Sequence, residues 1–423
     1  MVNEPLRTGS FSCAGAVCNK GARCADERLS RREFFRFGRL EAAVIPLVDR
    51  EKCGKPEGCS LCAERCTARA IRLQSGEIRI DRTRCRGCGA CTAACPGGAL
   101  LYPGFSPDEM DQVIAGLLQG EEADLRARII AFTCSEKNSD LNAYPENVAP
   151  LHIPCLAMVS PWTILRAFTL GAQGVILLPP GPGCTLISGN SLLQNAICFI
   201  RELFTAWSIE PSRIDLWSGT RGEMKEFAQA VKRLPVLRLT GIQAGPLREK
   251  GLPLSALIKA IEKTFGPSAA IGVGKGIAPF GIVRINPDRC TGCGLCGLNC
   301  PTGALTFSPG DKDDSYRVFF RHDRCAGCAV CRKSCPEKAI AVEQILQIAK
   351  LAQPAAVLFE DRFSSCSGCG APLFPQAMVH RLKARLSAAG APAWAVDLCP
   401  ACRANSPILP GRSGEDRLKD ITL

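Results

Sequence analysis

The chemistry of this chain begins with its cysteines, of which there are 27 in 423 residues. Two late runs have the spacing Cys-x2-Cys-x2-Cys-x3-Cys-Pro, which is typical of proteins that hold two [4Fe–4S] clusters. Three thiols on one tight loop reach three corners of a cube, and the fourth ligates the other cluster. The two runs therefore predict centre 3, formed by Cys290, Cys293, Cys296 and Cys335, and centre 4, formed by Cys325, Cys328, Cys331 and Cys300.

A second pair of cluster motifs lies earlier in the chain. One run, from Cys85 to Cys95, is regular, whereas the other has five residues between Cys53 and Cys59 in place of two. A longer loop can still close on the same cube, because extending a loop costs little entropy. The same crossed arrangement predicts centre 1, formed by Cys53, Cys59, Cys62 and Cys95, and centre 2, formed by Cys85, Cys88, Cys91 and Cys66.

On these motifs, residues 51–107 and 277–345 resemble the bacterial two-cluster ferredoxins. Between the two early motifs, residues 70–80 alternate apolar and polar side chains around Ser75 and Gly76, which predicts a β-hairpin. Residues 282–285 and 316–320 have the composition of strands beside the late motifs. We call residues 51–107 the first dicluster unit and residues 277–345 the second dicluster unit.

The sequence between the two units has a different pattern. Apolar runs at 129–132, 151–153, 175–178 and 214–217 alternate with helix-like segments at 161–171, 190–207 and 223–234. Strands that alternate with helices predict a parallel α/β sheet, whose carboxyl edge collects functional residues. Because Cys134, Cys155 and Cys184 each follow a predicted strand, we expect them at that edge.

This middle region resembles the delta subunit of methyl-viologen-reducing hydrogenase, also known as the hydrogenase iron–sulfur subunit. The matching residues are 131–134 (AFTC), Cys155 with 161–174 (PWTILRAFTLGAQG), and Cys184 in 183–190. The resemblance implies a [2Fe–2S] domain that relays electrons between a hydrogenase and a heterodisulfide-reductase-type flavoprotein. Lys137 stands where the family commonly has a second cysteine. With three thiols left, the site is either a [2Fe–2S] centre or a vestigial one.

The C-terminal region contains two further cysteine pairs, separated by a predicted helix at 375–386. A Cys-x2-Cys pair followed by another is typical of a tetrahedral zinc site, and the segment resembles a zinc ribbon. Another iron–sulfur cluster is the alternative. The predicted tail site comprises Cys366, Cys369, Cys399 and Cys402. At the other end of the chain, the role of Cys13, Cys18 and Cys24 is left open.

The predicted fold class is therefore α+β modular: two ferredoxin-like dicluster units, a central parallel α/β domain and a small zinc-ribbon-like tail. The net charge is +12, but lysine and arginine form no long run. This favours an acidic protein partner or an anionic membrane surface over nucleic acid. Reduced thiols and the absence of an apolar span predict a cytoplasmic protein, membrane-associated only through partners. The predicted boundaries are residues 1–50, 51–107, 108–270, 277–345 and 346–423.

These patterns predict an electron-transfer subunit with four [4Fe–4S] clusters. Its expected partners are catalytic subunits of a hydrogenase, a formate dehydrogenase or a heterodisulfide-reductase-like flavoprotein. With three histidines in the chain and no recognisable flavin or NAD fingerprint, we expect a non-catalytic subunit. Two alternatives stay open. One is a maturation or regulatory iron–sulfur protein, and the other is an enzyme that uses Cys134, Cys155 and Cys184.

Overall fold

The structure is a computed structural model. It describes residues 44–53, 59–119, 128–134, 144–179, 190–216, 221–239, 241–242, 252–266, 272–309 and 315–405. Residues Ile45–Leu423 belong to one compact unit. The predictions for Cys13, Cys18, Cys24 and Cys184 fall outside the described residues.

In the first dicluster unit, short helices follow the cysteine loops. The elements are β1 (Leu47–Val48), α1 (Leu61–Arg65), β2 (Ile71–Gln74), β3 (Glu77–Ile80), α2 (Ala90–Ala94) and β4 (Leu100–Leu101). Helix α1 contains the buried Cys62 and helix α2 the buried Cys91. Helix α2 begins after Gly89, whose φ of 66° favours glycine. A Cβ on Gly89 would lie 2.9 Å from the Cβ of Met158 in the central domain.

The predicted hairpin between the two early motifs is confirmed. Strands β2 and β3 pair in antiparallel fashion along their whole length. Ser75 and Gly76 connect them, and both have positive φ, as the two central residues of a type I′ turn do. Strand β1 pairs with β4 over two positions only, so the ladder that closes this unit is short.

The central domain contains the predicted parallel sheet. Its strands are β5 (Ile129–Cys134), β6 (Val148–Ile153), β7 (Gly174–Leu178) and β8 (Ile214–Leu216). The strand order is β6–β5–β7–β8, and all three pairings are parallel. Every residue of β5 and β7 is buried, as expected for strands covered on both faces.

In the described part of the chain, five helices pack around this sheet. They are α3 (Pro107–Leu117), α4 (Pro161–Thr169), α5 (Asn190–Ala206), α6 (Arg221–Arg233) and α7 (Pro253–Phe265). Helix α3 begins with a capping box between Ser106 and Glu109, and α4 begins with Ser160 as its N-cap and Pro161 as its first residue. Among the described residues, no helix is both long and apolar enough to cross a bilayer.

The second dicluster unit repeats the plan of the first with longer strands. Its elements are β9 (Gly281–Ile285), α8 (Leu295–Leu298), β10 (Leu305–Pro309), β11 (Ser315–Phe320), α9 (Val330–Lys333) and β12 (Ile340–Gln344). Its outer strands, β9 and β12, pair over five positions, from Ile340 opposite Ile285 to Gln344 opposite Gly281. Its hairpin pairs Leu305 with Phe320 at one end.

The chain after this unit adds two strands to the hairpin of the second dicluster unit. The elements are β13 (Ala356–Ser365), β14 (Pro372–Pro375), α10 (Gln376–Ala388) and α11 (Pro400–Ala404). Strand β13 pairs with β11, and β14 pairs with β13, which gives an antiparallel sheet of order β10–β11–β13–β14. The tail site follows directly, because Cys366 comes one residue after the end of β13.

The largest apolar core lies in the central domain and receives side chains from both dicluster units. Tyr102 contributes to this core from the first unit, and Phe280 contributes from the second unit. Leu346, the residue that follows the second unit, contributes as well. The rings of Phe199 on α5 and Phe280 lie 6.3 Å apart, centroid to centroid. Both units therefore pack against the central domain.

The apolar spacing of residues 344–351 in the sequence has a helical period and predicts a helix there, and this prediction is wrong. Gln344 is the last residue of β12, and the only helical residues in this stretch are one 3-10 turn, Ile348–Lys350. Leu346 forms a bridge with Val273. Leu346, Ile348 and Leu351 are buried in the central core. The apolar spacing of these residues resembles that of a helix, but the buried side chains belong to an extended segment.

Candidate metal centres

Two cavities in the second dicluster unit are each lined by four cysteines. One is lined by the four thiols of centre 3, and the other by the four thiols of centre 4. In each cavity one thiol comes from the other motif, because Cys335 lies with centre 3 and Cys300 with centre 4. Apolar side chains such as Val283 and Val318 complete the walls. Four thiols around one apolar cavity are the donor set that a [4Fe–4S] cubane requires.

The thiols of these cavities lie close enough to perturb one another. Burial raises the pKa of Cys296 to about 12, with a further contribution from the neighbouring Cys290 and Cys293. Burial likewise raises the pKa of Cys331 to about 12, with Cys325 as the next cause. Without metal, Cys296 and Cys331 are protonated at neutral pH. Because iron binds thiolates, cluster insertion must release protons.

The first dicluster unit brings its thiols together in the same way. Burial raises the pKa of Cys62 to about 12, followed by the effects of Cys95, Cys59 and Cys53, which are the other members of centre 1. The pKa of Cys91 is also raised to about 12, by burial and then by neighbours that include Cys88, Cys66 and Cys85 of centre 2. The thiols that precede and follow the long loop after Cys53 therefore lie near one another.

A repeated backbone contact positions the last cysteine of every motif. Each Sγ accepts a hydrogen bond from the N–H of an alanine four residues later, at 3.2–3.3 Å. Hydrogen bonds to the ligand sulfurs are one of the factors that set the potential of an iron–sulfur cluster. The sequence signal is Cys-x3-Ala, which sequence reasoning overlooked. The pairs are Cys66 with Ala70, Cys95 with Ala99, Cys300 with Ala304, and Cys335 with Ala339.

The four centres are neighbours in the order 2, 1, 4 and 3. Cys62 of centre 1 contributes to the raised pKa of Cys91 in centre 2. Cys59 of centre 1 contributes to the raised pKa of Cys328 in centre 4. Centres 4 and 3 share the second dicluster unit, where Cys296 contributes to the raised pKa of Cys331.

An ion pair marks the place where the two dicluster units meet. The Nζ of Lys333, next to centre 4, lies 2.6 Å from Oε1 of Glu64, next to centre 1. Together with the proximity of Cys59 and Cys328, it places the two units side by side.

Two of the three central cysteines lie at the carboxyl edge of the parallel sheet. Cys134 ends β5, and Cys155 follows β6 by two residues. Both are buried, at 4% and 9% exposure. Cys155 packs with Cys88 and Ala90 of the first dicluster unit. This edge of the sheet therefore lies against centre 2, and Cys184 lies outside the described residues.

The tail site is a compact group of four thiols. Their Sγ atoms all lie within 4.8 Å of one another. The Sγ atoms of Cys369 and Cys399 are 3.7 Å apart. A tetrahedral ion with bonds of about 2.3 Å would hold sulfurs about 3.8 Å apart. A Cβ on Gly368 would lie 3.0 Å from Sγ of Cys402, so glycine allows this close approach.

Backbone donors also prepare this site for a cation. The N–H of Cys399 donates to Sγ of Cys366 at 3.2 Å. This bond is the main reason why the pKa of Cys366 is lowered to about 6. Hydrogen bonding to neighbouring sulfurs, Cys399 first, raises the pKa of Cys402 to about 12. Four clustered cysteines, one of which favours the thiolate form, are a donor set that one metal ion would complete.

Comparison with known proteins finds both kinds of domain in this chain. The family model of the methyl-viologen-reducing hydrogenase delta subunit matches residues 129–236. Models of a 4Fe–4S dicluster domain match residues 45–134 and residues 282–342. The cluster domains predicted on either side of the central domain are thereby confirmed.

Individual relatives show the same likeness. An F420-non-reducing hydrogenase iron-sulfur subunit of Archaeoglobus profundus is 34% identical over 100 residues, which are 22% of this chain and 73% of the relative. The vhu iron-sulfur subunit of the F420-non-reducing hydrogenase of Methanocaldococcus jannaschii is 28% identical over 129 residues, which are 28% of this chain and 96% of the relative.

A third relative is a much longer protein. It is one of the subunits of the ferredoxin:CoB-CoM heterodisulfide reductase of Methanosarcina acetivorans, and it is 30% identical over 131 residues, which are 29% of this chain and 16% of the relative. Through its central domain, this chain belongs to the family of the methyl-viologen-reducing hydrogenase delta subunit.

Proposed function

We propose that this chain is an iron–sulfur electron-transfer subunit with four [4Fe–4S] clusters, one at each of centres 1 to 4. The observation that carries the proposal is the grouping of sixteen cysteines into four neighbouring sets of four. Each cubane exchanges single electrons, and its potential depends on cluster charge, hydrogen bonds to sulfur and exposure. The role of the protein is to hold the cubanes in a row.

The row has two distinct ends. The carboxyl edge of the central sheet lies at the end with centre 2, because Cys155 packs against Cys88. The tail lies at the end with centre 3, because a Cβ on Gly292 in the loop of centre 3 would lie 2.9 Å from Cγ of Pro375, at the end of β14. We therefore propose that electrons pass between the central domain and the tail in the order 2, 1, 4, 3, in either direction.

For the tail site we propose a structural Zn²⁺ held by its four cysteines. Its support is the close spacing of the four Sγ atoms. A cubane carries an iron at each ligated corner and would hold its thiolates farther apart than a single ion does. Zinc has no redox chemistry, so this site would stabilise the end of the subunit.

The names of the relatives suggest the partners. They are subunits of hydrogenases and of a heterodisulfide reductase. We propose that this chain connects catalytic oxidoreductase subunits of that kind, with a formate dehydrogenase as a further candidate. The net charge of +12 favours partners with acidic surfaces.

Metal analysis and electron counting on anaerobically purified protein test this proposal. We expect about 16 iron, an equal amount of labile sulfide and about one zinc per chain, and an uptake of about four electrons. Two matched variants separate the sites. Cys335→Ser should disturb one cubane and leave zinc in place, whereas Cys369→Ser should release zinc and leave the iron. About eight iron or fewer in reconstituted protein would contradict the four-cluster relay.

A further inference from the structure

The hydroxyl group of Tyr316 is buried beside centre 3 without a hydrogen-bond partner. Tyr316 lies on β11 and is 4% exposed. Within the described part of the chain, no atom accepts a hydrogen bond from its Oη or donates one to it. Removing a hydroxyl from water without a compensating hydrogen bond is unfavourable. Buried polar atoms in folded proteins nearly always have a hydrogen-bond partner, so this hydroxyl is an exception.

The ring of Tyr316 is held firmly in place. Its centroid lies 5.8 Å from that of Phe363 and 6.5 Å from that of Phe359, both in edge-to-face contact. Phe307 stacks on it at 6.1 Å. These three aromatic contacts fix the direction in which the hydroxyl points.

That direction is toward the loop that carries three ligands of centre 3. A Cβ on Gly294 would lie 3.4 Å from Oη of Tyr316, and a Cβ on Gly292 would lie 3.1 Å from its Cε1. These glycines alternate with Cys290, Cys293 and Cys296 along the loop. The hydroxyl therefore lies over the loop that holds centre 3.

We propose that Tyr316 donates a hydrogen bond to a sulfur atom of the cluster held at centre 3 and so raises its reduction potential. The inference rests on the proposed function, which supplies the cluster. A reduced cluster carries one more negative charge than the oxidised cluster. A fixed donor therefore stabilises the reduced form more. Tyr316 would make centre 3 a better electron acceptor than the same cluster beside phenylalanine.

The first dicluster unit contains a matched control. Tyr102 is also buried and lies near thiols of centre 2. Its hydroxyl, however, donates to the carbonyl oxygen of Gly87 at 2.8 Å. A phenol has one proton to donate, so Tyr102 cannot serve a cluster sulfur at the same time.

The experiment is an anaerobic redox titration, followed by EPR, of the wild type, Tyr316→Phe and Tyr102→Phe. We expect Tyr316→Phe to make the reduction of one cluster about tenfold less favourable. For a one-electron couple, this lowers the reduction potential of that cluster by about 59 mV. The other three clusters should be unchanged. Tyr102→Phe should shift none by a comparable amount. The shifted cluster should be the one whose signal Cys335→Ser disturbs.

A second readout follows the proton directly. The reduced wild-type cluster at centre 3 should show an exchangeable, strongly coupled proton in ENDOR spectra, and Tyr316→Phe should lack it. Unchanged potentials in a variant that retains about 16 iron would overturn the inference while leaving the four-cluster proposal intact. Loss of about four iron from Tyr316→Phe would also overturn it, because the hydroxyl would then serve assembly. A wild-type protein with too little iron would instead refute the proposed function.

Discussion

The two dicluster units hold their thiols alike but are built on different scaffolds. In both units, the Sγ of the last cysteine of each motif accepts a hydrogen bond from the N–H of an alanine four residues later. Outside those contacts the units differ. The closing ladder has two pairs in the first unit and five in the second. The hairpin β2–β3 is a two-stranded sheet, whereas β10–β11 continues into β13 and β14. Short loops therefore determine the ligand geometry, and the surrounding strands are free to vary.

The apolar cores of the two units also differ, in how many of their buried side chains are cysteines. The apolar cluster of the first unit has four buried members, Cys62, Cys91, Ile71 and Leu100, and two of them are cysteines. The core of the second unit contains large side chains that bind no metal, among them Tyr316, Val318, Phe320 and Phe359. The first unit should therefore depend more on its clusters for folding than the second unit does.

Removing iron should give the largest difference between the two units. In protein stripped of iron under anaerobic conditions, we expect strands β2 and β3 to lose about a thousandfold of their amide protection, or ~4 kcal/mol. Strands β11 and β13 should keep most of theirs, because their aromatic core remains. Hydrogen exchange followed by mass spectrometry measures both in one sample.

The iron-loaded protein is the control for that experiment, and both hairpins should be protected in it. Equal loss of protection in the two units would contradict the comparison. It would mean that the sheet from β10 to β14 is as dependent on iron as the isolated hairpin.

The parts of the molecule that local sequence determines were predictable. Cysteine spacing predicted the grouping of ligands, and the Ser75–Gly76 turn predicted the hairpin, because both depend on residues close together in the chain. The strands and three of the helices of the central domain also agreed with the predictions to within a few residues. Their apolar runs are long, and their ends carry clear signals such as Ser160 and Pro161.

The extension of the second hairpin was not predictable from local sequence. Strand β13 contains Glu360, Asp361 and Arg362 in succession, which hides the alternation of a half-buried strand. Its place is determined by pairing with β11, some 40 residues away in the chain. Helix α7, which was missed, and the misassigned residues 344–351 likewise owe their structure to packing against the central core. Such tertiary effects override local pattern.

Phe359→Ala should give the next largest effect. Phe359 is 6% exposed and packs in the core of the second unit beside Tyr316. Truncating a buried phenylalanine costs about 3–5 kcal/mol. We expect a loss of this size in the free energy of unfolding of the second unit, measured by urea denaturation of the iron-loaded protein. The zinc proposed for the tail site should also be released more readily.

A second phenylalanine in the same sheet provides the control for this substitution. Phe374 on β14 is 47% exposed. Phe374→Ala should therefore change the free energy of unfolding by less than about 0.5 kcal/mol. Similar losses in both variants would show that β13 does not support the second dicluster unit through its buried face.

The smallest predicted effect is a pH dependence that only the second unit should show. His322 is buried there, while residues 51–107 contain no histidine. The Nδ1 of His322 lies 3.0 Å from the carbonyl oxygen of Gly281. Its Nε2 accepts a hydrogen bond from the N–H of Gln347 at 3.0 Å. This pairing requires a neutral ring with its proton on Nδ1. Burial, followed by a smaller effect of Lys350, lowers the pKa of His322, against opposing effects of Gly281 and Asp323.

Because the folded pKa of His322 is lowered, the unfolded chain binds more protons below its own pKa of about 6.5. The contribution of His322 to the free energy of unfolding is therefore fully present above about pH 6.5. It falls as the pH drops toward the folded pKa, by at most about 1.4 kcal/mol per pH unit. Urea unfolding of the second unit between about pH 8 and pH 5.5 should show this slope. His322→Gln should be less stable at every pH but should lack the slope, because glutamine does not titrate. A slope that persists in His322→Gln would assign the pH dependence to other groups.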